Sequence, residues 1–98
     1  MKQTNLNGMV ERSSAMMEAL SVQTDMFYRG YQTTIETLQY TSGDFKIDVT
    51  IFCESYTEQC EIAQHLENYP ARHLGTVETG AVRASDNYWV KYEIDIDL

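Results

Sequence analysis

The sequence predicts an α+β fold in which two helices and four strands follow one another in the order α-β-β-α-β-β. Two stretches, 45–53 and 88–97, alternate apolar and polar residues with the period of two that strands with one buried face show. Two other stretches, one before each pair of strands, carry apolar residues at the three-four spacing of helices. We expect a single domain over 1–98, built as a four-stranded, mostly antiparallel sheet with both helices on one face.

The first helix is predicted at about 6–29, with Asn5 or Asn7 as its cap and Gly30 at its end. Its larger apolar stripe covers about 120° of the helix surface, and we expect this stripe to pack on the sheet. The stripe consists of Leu6, Met9, Val10, Ser13, Met16, Met17, Leu20, Thr24, Phe27 and Tyr28.

A second, smaller apolar stripe lies roughly opposite the first. A helix that covers one core needs only one stripe, so the second indicates contact with a partner such as a neighbouring subunit. The alternative is that alanine is simply a good helix former and that the larger members are scattered surface residues. The stripe consists of Ala15, Ala19, Val22 and Met26.

Residues 31–43 are ambiguous between helix and strand. Ile35 and Leu38 are three positions apart, as on a helix face, whereas the threonines of the segment favour a strand. Ser42, Gly43 and Asp44 are typical of a tight turn. We therefore predict a hairpin in which 32–40 pairs with 44–53.

The second helix begins with a capping-box pattern, in which Ser55 supplies a hydroxyl and Glu58 a carboxylate three residues later. It is predicted to run to about Asn68, because Pro70 makes continuation unfavourable. Its core-facing residues are expected to be Ile62, Ala63 and Leu66.

The remaining chain is predicted to form a second pair of strands. The segment 71–84 is expected to be a strand interrupted by bulges at Gly75 and Gly80. Ser85-Asp86-Asn87 is typical of a turn, and 88–97 is the closing strand.

Residues that usually carry catalysis or bind metals are scarce. The candidate ligands, Cys53, Cys60, His65 and His73, show neither a two-residue gap nor a His-Glu-x-x-His pattern. Glu61 and His65 are one helical turn apart and would reach a shared ion, although a solvated face fits them better. No glycine-rich elbow frames Cys60 and His73 as nucleophile and base. We expect no enzyme activity, no cofactor and no disulfide between the two cysteines.

The chain carries 15 acidic and 7 basic residues, for a formal net charge of −8. The acidity is concentrated in the second half, since 44–70 holds six acids and one base. Such a surface repels nucleic-acid phosphates, and it either suits a basic partner or keeps the protein in solution. The chain has no apolar run long enough to cross a membrane and no apolar signal region, so we expect a cytoplasmic protein.

The aromatic residues of the closing strand are a separate candidate site. Tyr88, Trp89 and Tyr92 have Lys91 as their one neighbouring base, which disfavours stacking on single-stranded nucleic acid. Trp89 is expected on the charged face of the sheet. It is therefore either an exposed contact residue for a protein partner or packed across the sheet on lysine stems or Phe52.

From Asp44 onward, the pattern resembles tail-terminator and tail-completion proteins of tailed bacteriophages. The resemblance is carried by the strand-like stretches 45–52 and 89–96 and by the intervening helix with Glu58 and Leu66. It implies a non-enzymatic subunit that assembles into rings at the end of a tail tube. The chain would then act in the host cytoplasm or in the virion.

Two hypotheses follow. The leading one is a small phage assembly protein that acts by self-association and docking, and its second helical stripe predicts a homo-oligomer. Its expected contact residues are Ala15, Ala19, Val22, Met26 and Trp89. The alternative is an acidic inhibitor that blocks a basic groove of a host nuclease or another nucleic-acid enzyme, with carboxylates standing in for phosphates. Its expected acidic surface is Glu54, Glu58, Glu61, Glu67, Asp95 and Asp97.

Overall fold

A computed structural model describes the backbone of residues 2–69, 75–82 and 87–96, and the side chains of these segments from residue 11 onward. It confirms the α+β fold and the predicted order of elements. Helix α1 begins four residues earlier than predicted. The elements are α1 (Lys2–Tyr28), β1 (Gln32–Gln39), β2 (Phe45–Cys53), α2 (Tyr56–Glu67), β3 (Thr76–Ala81) and β4 (Tyr88–Ile96).

The four strands form one antiparallel sheet in the order β1-β2-β4-β3. Strands β2 and β4 are therefore central, and their alternation is the one seen in the sequence. One face of each is buried beneath the helices, while the other carries mostly polar and charged side chains. Strands β1 and β3 are the two edges of the sheet.

The ambiguous segment is a strand, as predicted. All eight residues of β1 pair with β2, from Gln32 opposite Phe52 to Gln39 opposite Phe45. The connecting turn closes when the Gly43 amide donates to the Tyr40 carbonyl over 3.0 Å. Gly43 has a φ of 97°, a left-handed conformation that glycine adopts readily because glycine has no Cβ.

Asn5 and Asn7, which were predicted as alternative caps of α1, lie inside the helix, so that prediction is wrong. The other three helix ends are confirmed, including the end of α2 at Asn68. Helix α1 ends in a Schellman motif, in which the amide of Tyr31 donates to the carbonyl of Met26 and Gly30 takes a φ of 91°. At the start of α2, the Ser55 hydroxyl accepts from the Glu58 amide over 3.1 Å. The Glu58 carboxylate closes the cap by accepting from the Ser55 hydroxyl.

The core lies between the sheet and both helices. Helix α2 is fixed over β3 and β4 by the buried Gln59, whose side-chain amide donates to the carbonyls of Gly80 and Trp89. Among the residues whose side chains are described, the fully or almost fully buried apolar ones are Ala15, Ala19, Val22, Met26, Ile47, Val49, Ile51, Cys53, Ile62, Leu66, Val90, Tyr92, Ile94 and Ile96.

The core corrects the prediction for the faces of α1. The stripe expected to contact a partner, Ala15, Ala19, Val22 and Met26, has no exposed surface and is the face that packs on the sheet. It is therefore closed to any partner, and Val22 and Met26 are not scattered surface residues. The physical reason is size: alanine side chains let the helix backbone come close to a sheet whose inner face is already filled by large residues.

Gly75 and Gly80, which were predicted to form bulges, instead lie against aromatic rings. The register of β3 with β4 runs unbroken from Thr76 to Ala81, so Gly80 is not a bulge. A Cβ at Gly80 would lie 2.2 Å from the Trp89 ring, and one at Gly75 would lie 2.3 Å from the Tyr92 ring. Both glycines therefore make room for an aromatic ring. The rest of the predicted strand, 71–74 and 83–84, and most of the turn at 85–87 lie outside the described residues.

Candidate interaction surfaces

The outward face of helix α1 is apolar and exposed. Four large side chains on this face, which we call the outer stripe, are solvent-exposed over about half or more of their surface: Met17 (71%), Leu20 (47%), Phe27 (71%) and Tyr28 (83%). All four belong to the larger stripe that the sequence predicted to pack on the sheet. Their exposure contradicts that prediction and leaves the apolar surface free for contact with another molecule.

Contacts along both margins of α1 hold the helix in this orientation. On one margin, the Asp25 carboxylate lies 2.7 Å from Nε2 of His65 on α2, and Ser21 shares a 2.9 Å hydrogen bond with the hydroxyl of Tyr69. On the other, the Arg12 guanidinium lies over the Phe45 ring and donates to the Gly43 carbonyl. Rotating α1 to bury the outer stripe would break both sets of contacts.

Asp25 is the charged centre of the α1–α2 contact. Its carboxylate accepts a hydrogen bond from the His65 ring and another from Arg29, one helical turn further along. The Arg29 Nε atom is 3.0 Å from Oδ1 of Asp25. Partial burial raises the pKa of Asp25, but these hydrogen bonds outweigh it and leave the pKa below its usual value. The carboxylate is therefore ionised at neutral pH and holds both partners.

A shallow groove joins the outer stripe to the first strand. It encloses about 420 Å³ between the C-terminal end of α1 and the beginning of β1. Phe27 and Tyr28 form its helical wall, and Tyr31, Gln32 and Thr33 form its strand wall. The outer stripe and the β1 edge thus belong to one continuous surface.

Trp89, the other predicted contact residue, is half-buried on the outer face of the sheet. Its ring lies over Gly80, and Nζ of Lys91 is 5.5 Å from the ring centroid. Phe52 is its cross-strand neighbour on β2. These contacts match the second of the two predicted environments, in which the ring packs across the sheet.

The centre of the outer sheet face carries a cluster of charges. Asp48 is only 7% exposed, and its Oδ1 atom has no hydrogen-bond partner in the part of the chain that the structure describes. Nζ of Lys46 lies 3.0 Å from Glu93 and 4.0 Å from Asp48. Burial raises the pKa of Asp48, with Lys46 lowering it in part and Glu93 raising it. In this cluster one lysine serves as the counter-ion of two carboxylates.

The predicted acidic surface is divided between two sides of the molecule. Glu54, Glu61 and Glu67 are exposed on the α2 side, while Glu58 is engaged in the helix cap. Asp95 lies on the opposite face of the sheet, because it pairs with Lys46 in the outer row. Asp97 lies outside the described residues. The described acids therefore do not form the single stripe that the sequence predicted.

The two cysteines and His65 lie in different environments and do not form a common site. Cys53 is buried, Cys60 is exposed, and both are free thiols. Burial raises the pKa of the Cys53 thiol, which keeps it protonated and a poor nucleophile at neutral pH. His65 is bound to Asp25, and His73 lies outside the described residues.

A larger hollow of about 630 Å³ lies at the end of the sheet where β2 gives way to α2. Its walls include Arg29, Tyr31, Cys53, Glu54 and Glu58. Arg29 and Glu58 are already paired within the chain, with Asp25 and with the helix cap respectively. Within 11–69, 75–82 and 87–96, no three His, Cys, Asp or Glu residues are arranged to hold a metal ion.

The described helices include none that is both long and apolar enough to span a bilayer. Comparisons with family models, with curated proteins and with solved structures found no match to this chain.

Proposed function

We propose that this chain is a non-enzymatic assembly protein that acts by self-association through the outer stripe of α1. The observation that carries the proposal is the exposure of Met17, Leu20, Phe27 and Tyr28 on a helix whose other face is sealed in the core. Residues of this size normally leave water when a partner is present. Burying them in a contact would contribute stabilisation in proportion to the apolar area removed from water.

The area of the outer stripe suits a protein contact. A buried aromatic side chain removes roughly 150–250 Å² from water, so the exposed parts of Phe27 and Tyr28 alone represent about 300 Å². Met17 and Leu20 extend the patch along the helix. A stable interface needs about 800 Å² on each side, so these residues would supply part of it and neighbouring surface would have to supply the rest.

The distribution of charge favours a second copy of the chain as the partner. Residues 1–43 hold four acids and three bases, net −1, whereas 44–98 hold eleven acids and four bases, net −7. Two copies that meet through α1 keep their acidic halves apart. A contact through the second half would instead bring like charges together, which costs free energy.

The resemblance of the second half to phage tail-completion proteins supports the same class of function. In this proposal the acidic half faces water or a docking partner, and α1 joins the subunits. The resemblance is the reason for proposing a phage structural subunit, and the outer stripe is the reason for proposing that it self-associates.

The test is the molar mass in solution, measured by size-exclusion chromatography with light scattering over a range of concentrations. The wild-type chain is expected to exceed the monomer mass, and Leu20→Glu and Phe27→Glu are each expected to weaken association at least tenfold. Tyr56→Glu is the matched control, since Tyr56 is similarly exposed (66%) but lies on α2.

The control adds the same negative charge as the test variants. Its association should therefore equal that of the wild type. A wild-type chain that stays monomeric at millimolar concentration would overturn the proposal, as would equal association of all four proteins.

A further inference from the structure

Among the described residues, no strand pairs with the outer edge of β1. Strand β1 is the terminal strand of the sheet and pairs with β2 on one side only. The Tyr40 amide donates to the Asp44 carbonyl, which makes these residues a hydrogen-bonded pair of the hairpin. Hydrogen-bonded and non-hydrogen-bonded pairs alternate along an antiparallel ladder. The backbone groups of Thr33, Ile35 and Thr37 therefore point away from β2, toward the free edge.

This edge lacks the features that usually protect an exposed strand. Proteins blunt such edges with lysine, proline, bulges or very short strands. Strand β1 is eight residues long, contains no lysine or proline, and pairs with β2 without a break in register. The opposite edge, β3, has six residues and a glycine within it. Of the two edges, β1 is the one prepared to accept another strand.

The groove between α1 and β1 connects the edge strand to the C-terminal end of the outer stripe. Ser21 and Asp25 turn one margin of α1 toward α2, so the opposite margin, with Phe27, lines the groove beside β1. A molecule that pairs with β1 would therefore lie near Phe27, while Met17 and Leu20 lie farther along the outward face of α1. The single charged residue of β1 is Glu36, so the edge offers little electrostatic resistance to a second copy.

We propose that two copies of the chain pair through their β1 strands, antiparallel across a twofold axis, and form one continuous eight-stranded sheet. The inference rests on the proposed function in one respect, which is that the chain self-associates. It adds the strand edge as part of the contact and makes a twofold pair the unit of assembly.

The sequence of β1 selects a register for this pairing. The helices of both copies lie on the same face of the joined sheet only if the twofold axis is perpendicular to that sheet. In that case one residue of β1 lies directly opposite the same residue of the other copy. An axis at Glu36 sets this carboxylate against its symmetry mate, which is unfavourable. An axis at Ile35 sets Thr33 opposite Thr37 of the other copy and Thr34 opposite Glu36. In that register the free backbone groups of Thr33, Ile35 and Thr37 all find partners.

The test variant is Thr37→Pro, measured for molar mass against concentration. Proline removes an amide that points to the free edge and is tolerated at that position of an edge strand, so the β1–β2 ladder is kept. Thr37→Val is the matched control, because it changes the side chain and keeps the amide. We expect the proline variant to associate at least tenfold more weakly than the wild type and the valine variant to associate equally well.

Two outcomes of this comparison overturn strand pairing. The first is wild-type association by Thr37→Pro; if Leu20→Glu still weakens association, the proposed function stands and only the strand contact fails. The second is equal weakening by Thr37→Pro and Thr37→Val, which assigns the effect to the side chain rather than to the amide.

Hydrogen exchange on the wild-type chain gives a test that needs no variant. The amides of Thr33, Ile35 and Thr37 should exchange at least tenfold more slowly at concentrations where the chain is associated than where it is monomeric. Equal exchange at both concentrations overturns the pairing.

Disulfide crosslinking checks the register. In a Cys60→Ser background, Thr34→Cys with Glu36→Cys should form a crosslinked dimer under oxidation, and Glu36→Cys alone should not.

Discussion

The two faces of helix α1 are both apolar, yet they lie in opposite environments. The inner face, with Ala15, Ala19, Val22 and Met26, is fully buried on the sheet. The outer stripe has larger side chains and is mostly in water. The face with more hydrophobic surface is therefore not always the face that a helix buries. Where a sheet already presents large residues, small side chains let the helix pack closely.

The sharpest test of this comparison places the same charge on each face. Val22→Asp buries an unpaired carboxylate in the core and is expected to abolish folding or to lower the free energy of unfolding by more than about 4 kcal/mol. Leu20→Asp on the outer stripe should change the monomer's stability by less than about 0.5 kcal/mol. Urea unfolding, at concentrations where the chain is monomeric, measures both. If Leu20→Asp were the more damaging, the faces would be assigned the wrong way round.

Two methionines, one on each face of α1, allow the same comparison with an uncharged substitution. Met26 has no exposed surface and Met17 is 71% exposed. Met26→Ala leaves a cavity and should cost about 2–5 kcal/mol, whereas Met17→Ala should cost less than about 0.5 kcal/mol in the monomer. Thermal or urea unfolding of the two variants side by side checks the prediction. Similar losses in both would mean that each face is half-buried.

A third prediction concerns the margin between the two faces, where Asp25 binds His65 and Arg29. The pKa of Asp25 is below its usual value in the folded chain. As the pH falls, this carboxylate is therefore protonated in the unfolded chain before it is protonated in the folded chain. The contribution of Asp25 is therefore complete above its ordinary pKa and is lost as the pH falls below about 4. Asp25→Asn should cost less than about 1 kcal/mol at neutral pH, as for other partly exposed ion pairs.

Unfolding measured from pH 7 to pH 3 tests this last prediction. The difference between the wild type and Asp25→Asn should narrow as the pH falls. A difference that stays constant would show that the contact acts through shape rather than through charge. The variant His65→Gln is a useful companion, because it leaves Asp25 and its bond to Arg29 in place.

Much of the fold could be predicted because its signals are local. The alternation along β2 and β4, the Ser55 cap and the end of α1 at Gly30 each depend on residues near one another in sequence. Even the ambiguous β1 follows from the strand preference of its threonines and from the turn at 42–44, which leads directly into β2. Such features follow from backbone geometry and from the pattern of apolar residues.

The candidate surface could be predicted only in part, because it depends on contacts between distant segments. Which face of α1 is buried is decided by the volume of residues on β2 and β4 and by Asp25 meeting His65, 40 positions away. The alanines at 15 and 19 were a signal of close packing on a sheet. The free edge of β1 follows from the strand order, which a single sequence does not display.

The placement of Trp89 makes the molecule its own spectroscopic reporter. It is the single tryptophan of the chain, and its ring sits over Gly80 between the two strands farthest from β1. Its fluorescence should therefore follow the loss of the β3–β4 hairpin on denaturation while remaining silent when subunits join at the opposite edge. Emission wavelength and light scattering, recorded on one sample, would then separate unfolding from dissociation without any added label.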